Sequence, residues 1–392
     1  MTALQIFKPE SPAEVGEIIR DAGTNALAVE GRGSKRGLGR PIEAGAILKL
    51  SGLSGITMYE PDELVFAARA GTPLAEIERT LAERGQCLGF EPGECGPLWS
   101  NEASGATIGG TVAAAINGPR RFAAGAARDH LLGFAAVNGK GETFKAGGRV
   151  VKNVTGYDLS KLAAGSFGTL FVMTEVTLRA IPRGAATSVL ALECLAPADA
   201  LRVLRTIARS PFEPTALSFL PAQIAARAGM RSQSLALIRL EGQPEGVKAR
   251  EAELLRSLAK GARAADPALF RTLADVHTLF DAALPLFRIS VPPSRAVEAI
   301  EKLGPASWFA DGAGAILWCA FQYVDANGAK VVHQIARELG GHATLYRAPD
   351  AVRAQIDIFP PLDEATSALT RRLKNAFDPV GILNPGRMYK DA

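Results

Sequence analysis

An α+β chain is predicted, with a mixed α/β first half and an antiparallel sheet under helices in the second. Three observations predict it. Strand-like runs alternate with capped helical runs over 1–90; a tract rich in Gly, Ala, Thr and Ser and poor in large side chains fills 91–168; beyond Pro182 strands and helices alternate again without that tract. At roughly 150 residues per domain, 392 residues suggest two or three domains, each able to bury a core.

The first helix opens at Ser11-Pro12-Ala13-Glu14, a capping box with proline at the first helical position. It carries Val15, Ile18 and Ile19 on one face and stops at Gly23. A strand at 26–30 runs directly into Gly31-Arg32-Gly33-Ser34-Lys35-Arg36-Gly37-Leu38-Gly39, too rich in glycine and cation for a simple turn. Short strands follow near 47–50 and 64–70. Thr72 is expected to cap and Pro73 to open a second helix, with Leu74, Ile77 and Leu81 on one face and Gly85 at its end. The small-residue tract is costly in conformational entropy to order, so a bound cofactor lying against the backbone is the simplest reason for it. A closing strand at 169–181, with Phe171, Met173, Val176 and Leu178 among its apolar positions, ends at Pro182. Later strands are expected at 188–194, 216–219, 235–240, 286–291, 315–321 and 343–346, with helices around 197–208, 245–259, 295–302 and 330–339. A last helix over 364–377 runs into Asp378-Pro379 and then 381–387.

Charged residues are 21% of the chain with both signs interspersed, and 44 Lys plus Arg against 40 Asp plus Glu leave a net charge of +4. That balance argues against disorder, nucleic-acid binding and polybasic membrane docking. The N-terminus lacks a basic region followed by an apolar one, and no window of about 18 apolar residues is uninterrupted. A cytoplasmic chain without a transmembrane segment is expected. Cys87, Cys95, Cys194 and Cys319 contain no C-x-x-C and no iron–sulfur run, and read as buried reduced thiols.

The 31–39 loop is no Rossmann fingerprint, because Arg36 stands where the last glycine of G-x-G-x-x-G belongs, and no Walker A loop. What remains is backbone N–H groups freed by Gly31, Gly33 and Gly37, with Ser34 and the charges of Arg32, Lys35 and Arg36. This is an anion nest suited to a pyrophosphate, a solvated basic turn being the alternative. A second element joins Ala106-Thr107-Ile108-Gly109-Gly110-Thr111-Val112 to Asn117-Gly118-Pro119-Arg120-Arg121. Its adjacent glycines allow close backbone approach and leave amides pointing at a ligand, with room for a planar ring system; a buried small-residue helix start is the alternative. A third runs from Lys152-Asn153-Val154-Thr155-Gly156-Tyr157-Asp158-Leu159 to Gly165-Ser166-Phe167-Gly168-Thr169-Leu170.

These elements in this order, with the terminal Phe377-Asp378-Pro379 and Asn384-Pro385-Gly386, resemble the vanillyl-alcohol-oxidase, or PCMH-type, FAD-binding fold. The resemblance implies an FAD-binding domain of two α/β subdomains over 1–182, an α+β cap over 183–375 with an antiparallel sheet, and a segment, 376–392, returning to the FAD domain. By position it assigns cofactor contacts to Arg32, Gly33, Ser34, Lys35, Arg36, Gly37, Leu38, Thr107, Ile108, Gly109, Gly110, Gly118, Gly125, Gly165, Gly168, Val172 and Asn384. The first loop has neither His nor Cys for a covalent tether, so non-covalent FAD is expected. More narrowly, 29–41, 117–121, Gly340-Gly341-His342-Ala343-Thr344 and Gly386-Arg387-Met388-Tyr389 look like the smaller FAD-binding subunit of bacterial glycolate oxidase (glycolate dehydrogenase). That family implies a complex with a larger homologous FAD-binding subunit and an iron–sulfur subunit, oxidising glycolate to glyoxylate. Attachment at the inner membrane through the complex is the alternative to a free cytoplasmic protein.

Oxidising a 2-hydroxy acid at a flavin needs a cation for the carboxylate and a base or metal for the hydroxyl. Large catalytic relatives carry a G-E-H-G element; this chain reads Gly340-Gly341-His342-Ala343, and His130, His277 and His333 sit in unrelated contexts, so no metal site is expected. Arg288 could hold the carboxylate and His342 act as base, both on or beside predicted cap strands, with Trp308, Trp318 and Tyr346 as the aromatics. A structural ion pair is the alternative for Arg288, a satisfied polar residue for His342, and core packing for the tryptophans. A catalytic or relay redox subunit, a degenerate flavoprotein partner and a stand-alone sugar-acid or aldonolactone oxidase all remain open.

Overall fold

The computed structural model describes residues 4–99, 105–148, 157–193, 196–258 and 261–390, so Cys194 and the expected contact region 152–156 lie outside the described residues. In the first half, β1 (Gln5–Phe7), β2 (Leu27–Glu30) and β3 (Ala46–Lys49) form a parallel sheet in the order β1-β3-β2, covered by α1 (Pro12–Ala22) through Val15 and Ile19. Ser11 Oγ accepts from Glu14 N–H at 3.2 Å, while the Glu14 carboxylate accepts from Glu10 N–H at 3.0 Å. The capping box therefore closes one residue further upstream than its usual form.

A five-stranded antiparallel sheet follows. It uses β4 (Ile56–Glu60), β5 (Val65–Arg69), β7 (Leu131–Asn138), β8 (Thr143–Gly147) and β9 (Phe171–Arg179) in the order β4-β5-β9-β7-β8. Around it lie α2 (Leu74–Ala82), β6 (Gln86–Cys87), α3 (Ile108–Ala113), α4 (Arg121–Ala124), α5 (Ala127–His130) and α6 (Leu159–Ala163). Thr72 does not cap α2, whose N-cap is Pro73. Its hydroxyl donates to Arg69 O at 2.6 Å and accepts from Gly55 N–H at 2.9 Å, tying two loops where a cap would have tied one helix. The closing strand is also broken: β10 (Ile181–Pro182) pairs with β6, so Pro182 is inside a short antiparallel ladder.

The second half is one antiparallel sheet of eight strands. In chain order its elements are β11 (Ala186–Glu193), α7 (Pro197–Ala208), β12 (Ala216–Leu220), α8 (Ala222–Arg227), β13 (Leu235–Gly242), α9 (Pro244–Ser257), β14 (Ala262–Ala265), α10 (Leu269–Asp275), β15 (Leu286–Ser290), α11 (Ala296–Leu303), β16 (Ser307–Asp311), β17 (Ile316–Ala320), α12 (Ala326–Glu338), β18 (His342–Arg347) and α13 (Asp350–Gln355). The spatial order is β14-β11-β13-β12-β16-β17-β15-β18. β14 and β16 escape a sequence reading because Ala262–Ala265 has no apolar alternation and Ser307–Asp311 sits between Gly304-Pro305 and Gly312, the punctuation of a loop.

Alternation along these strands decides what each face meets. Leu217, Phe219, Ile238, Phe287, Ile289, Leu317 and Leu345 face the covering helices α7, α9, α11 and α12. Val189, Leu237, Phe309, Trp318 and Tyr346 face the other way, onto Leu38, Cys95, Leu98 and Ile116 of the first half. The inner face thus lies over the glycine-rich tract.

A charged seam crosses that junction. Arg239 on β13 donates to both Glu91 oxygens at 2.7 and 2.9 Å, and Arg120 donates to both Glu241 oxygens at 3.0 and 2.7 Å. Burial disfavours the Glu241 carboxylate, but Arg120 and Arg239 outweigh it and hold the carboxyl at about 2. Because that folded value lies below the ordinary 4.5, the pair contributes stability that is complete above about pH 4.5 and lost as pH falls toward 2. Arg239→Ala removes the bidentate partner of Glu91 at a seam where Arg239 is 3% exposed, leaving Glu91 with Arg120 at 3.5 Å. It is expected to cost about 1.5–3 kcal/mol, the worth of a hydrogen bond to a charged group, read as a lowered thermal midpoint at pH 7; an unchanged midpoint would show the seam to be incidental.

The last helix, α14 (Glu364–Phe377), brings the chain back. Phe377 stacks on Phe144 and meets Phe171 edge-on, and buried Lys374 donates to Thr169 O, Asp378 and Leu383 O at 2.6, 2.7 and 2.9 Å. Asp378 in turn accepts from the N–H groups of Gly381, Ile382 and Leu383. The Asp-Pro-x-Gly run is a knot that delivers Asn384 beside β2. No helix among the described residues is long and apolar enough to cross a membrane.

Candidate functional site

A cleft of about 490 Å³ opens at the ends of β2 and α3, within the usual range for a cofactor pocket. Arg32, Gly33, Ser34, Lys35 and Arg36 line one wall, Thr107, Gly109 and Gly110 another, and Gly168, Val172 and Asn384 a third. Gly33 takes a φ of +84°, and the loop closes with Arg36 N–H donating to Gly33 O at 3.2 Å and Leu38 N–H to Lys35 O at 3.1 Å. The N–H groups of Gly33, Ser34 and Lys35 donate to no protein acceptor among the described residues. Successive free amides of this kind form an anion nest. Arg36 is spent elsewhere, on a bidentate pair with Glu30 at 2.6 Å. Lys35 lines the cleft, its pKa pushed down by burial against the opposing pull of Cys95 and Glu94.

The second element works differently from the expectation. Ile108 N–H donates to Thr72 O at 3.0 Å, Gly109 N–H to Ala70 O at 2.9 Å, and Gly110 N–H to Thr107 Oγ at 3.3 Å. Its amides are committed to protein, so it serves the cleft by smallness and not by donation. A Cβ on Gly109 would stand 2.6 Å from Ala70 Cβ, while one on Gly110 would meet only Thr107 Oγ, at 3.2 Å.

Gly37, Leu38, Ile108, Gly118, Gly125 and Gly165 lie off the cleft wall, each with an internal role. A Cβ on Gly37 would press on Trp99 at 2.5 Å and one on Gly118 on Glu91 O at 2.1 Å. Leu38 is buried with Cys95 and Leu98, and Ile108 lies in the core beneath α3. Gly125 ends α4 at a φ of +89°, and Gly165, at +90°, donates to Val112 O at 3.2 Å.

Asn384 is a scaffold for the wall as well as part of it. Its Oδ1 accepts from Val29 N–H at 2.8 Å, and its Nδ2 donates to Phe167 O at 2.7 Å and Val29 O at 3.3 Å, from a backbone φ of +43° that asparagine tolerates. One amide thus couples β2 to the 167–168 turn. The cleft fits a dinucleotide: unspent amides, buried cations and a smooth small-residue wall supply what a diphosphate and flat rings need. No His or Cys is among its lining residues. Cys95, the nearest upstream thiol, is buried against Ala274 O with its pKa pushed up to about 12 by burial.

Arg288 and His342 are brought together on the inner face of the cap sheet. Arg288 on β15 pairs with Trp318 of β17 on one side and Thr344 of β18 on the other, and Ser290 pairs with His342, which puts His342 diagonally beside Arg288. A register shift in β18 accompanies Tyr346, whose ring meets Trp318 edge-on at 4.8 Å. Among the described residues no carboxylate lies within ion-pair distance of Arg288. Burial pushes its pKa down, Tyr346 and Asp311 oppose that, and Arg121 adds to it. Burial also lowers the pKa of His342, helped by the charges of Arg288 and Arg121. Arg121 was not singled out from the sequence as a site residue, since nothing local separates it from Arg120. Trp318 belongs to the inner face, whereas Trp308 packs on Phe219 toward the helices. His130 is held by Ala124 O, and His333, on α12 beside Phe287 on the helix-covered face of the sheet, by Asp357 O. Among the described residues no three potential metal ligands cluster.

Comparison with known proteins adds an independent finding. Residues 3–147 match the model of an FAD binding domain, and residues 361–388 that of the C-terminal domain of FAD linked oxidases. The chain is 35% identical over 379 residues, 96% of each chain, to the glycolate oxidase subunit GlcE of Escherichia coli. It is 26% identical to a D-lactate dehydrogenase of Archaeoglobus fulgidus over 98% of this chain and 91% of that one, and 24% identical to the glycolate oxidase subunit GlcD of Bacillus subtilis over 99% and 89%. In fold it is similar to an alkyldihydroxyacetonephosphate synthase, with a TM-score of 0.70 at 17% identity over 97% of this chain and 75% of that one. A substrate-bound p-cresol methylhydroxylase gives 0.68 at 14%, over 98% and 88%.

Proposed function

The chain belongs to the family of FAD-dependent oxidoreductases that includes the glycolate oxidase subunit GlcE, and from that premise we propose that it is the FAD-binding subunit of a complex oxidising glycolate or a similar small 2-hydroxy acid. In this reading residues 1–182 and 376–392 form the cofactor module and 183–375 the cap. Electrons leave through a larger homologous subunit and an iron–sulfur partner, in the cytoplasm or at the inner membrane through that assembly.

The observation that carries the reading is Arg288, a guanidinium on the inner cap face with no carboxylate in ion-pair distance among the described residues. Its planar fork matches a carboxylate. Arg121 of α4 adds positive charge, and Trp318 and Tyr346 pack beside the position. His342, at the exposed start of β18 and with its pKa pushed below the ordinary 6.5 by desolvation and the charges of Arg288 and Arg121, can accept the hydroxyl proton of a substrate anchored on Arg288. Bound in the cleft without a covalent tether, FAD would supply the two-electron acceptor.

The visible spectrum of the purified chain before and after anaerobic glycolate tests the reading. Bleaching of the flavin band is the expected result. A band that persists while the assembled complex turns over glycolate would move the oxidation step to another subunit and leave this chain an electron relay; a complex inert toward glycolate would overturn the substrate assignment.

A further inference from the structure

The cap reaches into the cofactor cleft at a point that the glycine loop does not explain. Arg353, on cap helix α13, lines the cleft although it comes from the opposite half of the protein, and it is 3% exposed. One of its terminal nitrogens donates to Gly39 O and the other to Asp350 at 2.7 Å, but its Nε is buried without any partner. Asp350, its only carboxylate partner among the described residues, has a side chain 82% exposed. Arg387 of the C-terminal segment lines the same wall and donates to Lys35 O at 2.7 Å, with no carboxylate in ion-pair distance among the described residues. Burial and the neighbouring charge of Arg353 push its pKa down to about 10. Arg40 fastens the junction by donating to Ile356 O and Ala354 O just beyond and within α13.

The buried guanidinium of Arg353, the half-buried one of Arg387 and the amine of Lys35 therefore converge on one cleft, whose carboxylates among the described residues are Glu30, already paired with Arg36, Glu43 and the exposed Asp350. Isolated buried cations are costly, and a structure tolerates several together when an anion completes the site. The free amides of Gly33, Ser34 and Lys35 lie in the same cleft.

We propose that Arg353 and Arg387 form an anion clamp, supplied by the cap and the C-terminal segment, that holds the diphosphate of FAD against the glycine loop. The clamp makes cofactor binding and cap docking one event: the phosphate charge neutralises Arg353, which ties α13 to the 31–40 loop, and Arg387, which ties the C-terminal segment to it. The inference rests on the FAD cleft and not on the substrate reading, so the two fail separately.

The test uses the full chain stripped of flavin, with FAD, ADP and riboflavin as probes, and the variants R353Q and R387Q. Each variant is expected to weaken FAD and ADP about tenfold or more, the loss of one charge-assisted contact, while riboflavin, which has no phosphate, binds as to wild type. ADP should raise the thermal midpoint of the stripped wild-type chain and do so less in the variants. R353K and R387K, which keep the charge, should recover part of the FAD and ADP affinity and serve if a glutamine variant misfolds. Unchanged ADP affinity in the variants, or equal losses for ADP and riboflavin, would reduce the arginines to structural ties and overturn the clamp.

Discussion

Gly110→Val is expected to yield a folded chain that emerges without flavin, the ratio of flavin to protein falling at least tenfold. Gly110 lies in α3 with an ordinary helical backbone, so a side chain introduces no φ strain. Among the described residues outside its own helix backbone, Thr107 Oγ at 3.2 Å is the one atom within 4 Å of its missing Cβ, and Gly110 lines the cleft. Valine therefore occupies cofactor space while leaving the core alone. Gly109→Val is the contrast. Its Cβ would stand 2.6–2.9 Å from Ala70, so that variant should lose flavin by unfolding the junction of α3 and β5. Absorbance at the flavin band, with circular dichroism as the check on folding, separates the two. A folded Gly110→Val chain that keeps its flavin would remove the cofactor from this cleft.

Arg288→Ala carries the second large expectation. Losing a charge-assisted bidentate contact is worth about 1.5–3 kcal/mol, so the variant complex should lose roughly 10- to 150-fold in kcat/KM for glycolate. Flavin content should not change, because Arg288 does not line the cleft. Arg288→Lys should recover little, since a point charge cannot reproduce the fork. Wild-type turnover in Arg288→Ala would show that the guanidinium serves the sheet and not a substrate. The Gly110 and Arg288 variants divide the site cleanly: the first should empty it, the second should leave it coloured and slow.

Much of this was legible in the residues. Ser11 with Glu14, the periodic faces of α1, α2 and α7, and the strand runs of β13, β15 and β17 carry local signals, because capping and burial periodicity depend on neighbours within a turn or two. The Gly31–Gly39 loop was legible as an anion site for the same reason, since the conformation of Gly33 is a local matter. β14 and β16 were not, because their identity comes from the strands they pair with, as alanines or loop-like flanks say little alone. Thr107–Gly110 was read as a set of amide donors; only the fold reveals that Ala70, Thr72 and the Thr107 side chain consume those donors.

Local chemistry, then, determined which segments carry small residues, cations and caps and that an α+β second half was to be expected, while the FAD-type fold was what the resemblance of those segments to a known family implied. Tertiary structure decided which of those segments share a wall. Arg239 meets Glu91 from 148 positions away, and Arg353 reaches Gly39 O across 314. Such pairings are set by how two sheets pack, and a charged residue in an apolar strand does not announce its partner. His342 became a neighbour of Arg288 only through the register of β15 with β18. The physical reason is one of range: helix caps and glycine turns are fixed by energies between residues close in sequence, whereas a site assembled from a loop, a cap strand and a C-terminal tail exists only after burial has brought distant segments together.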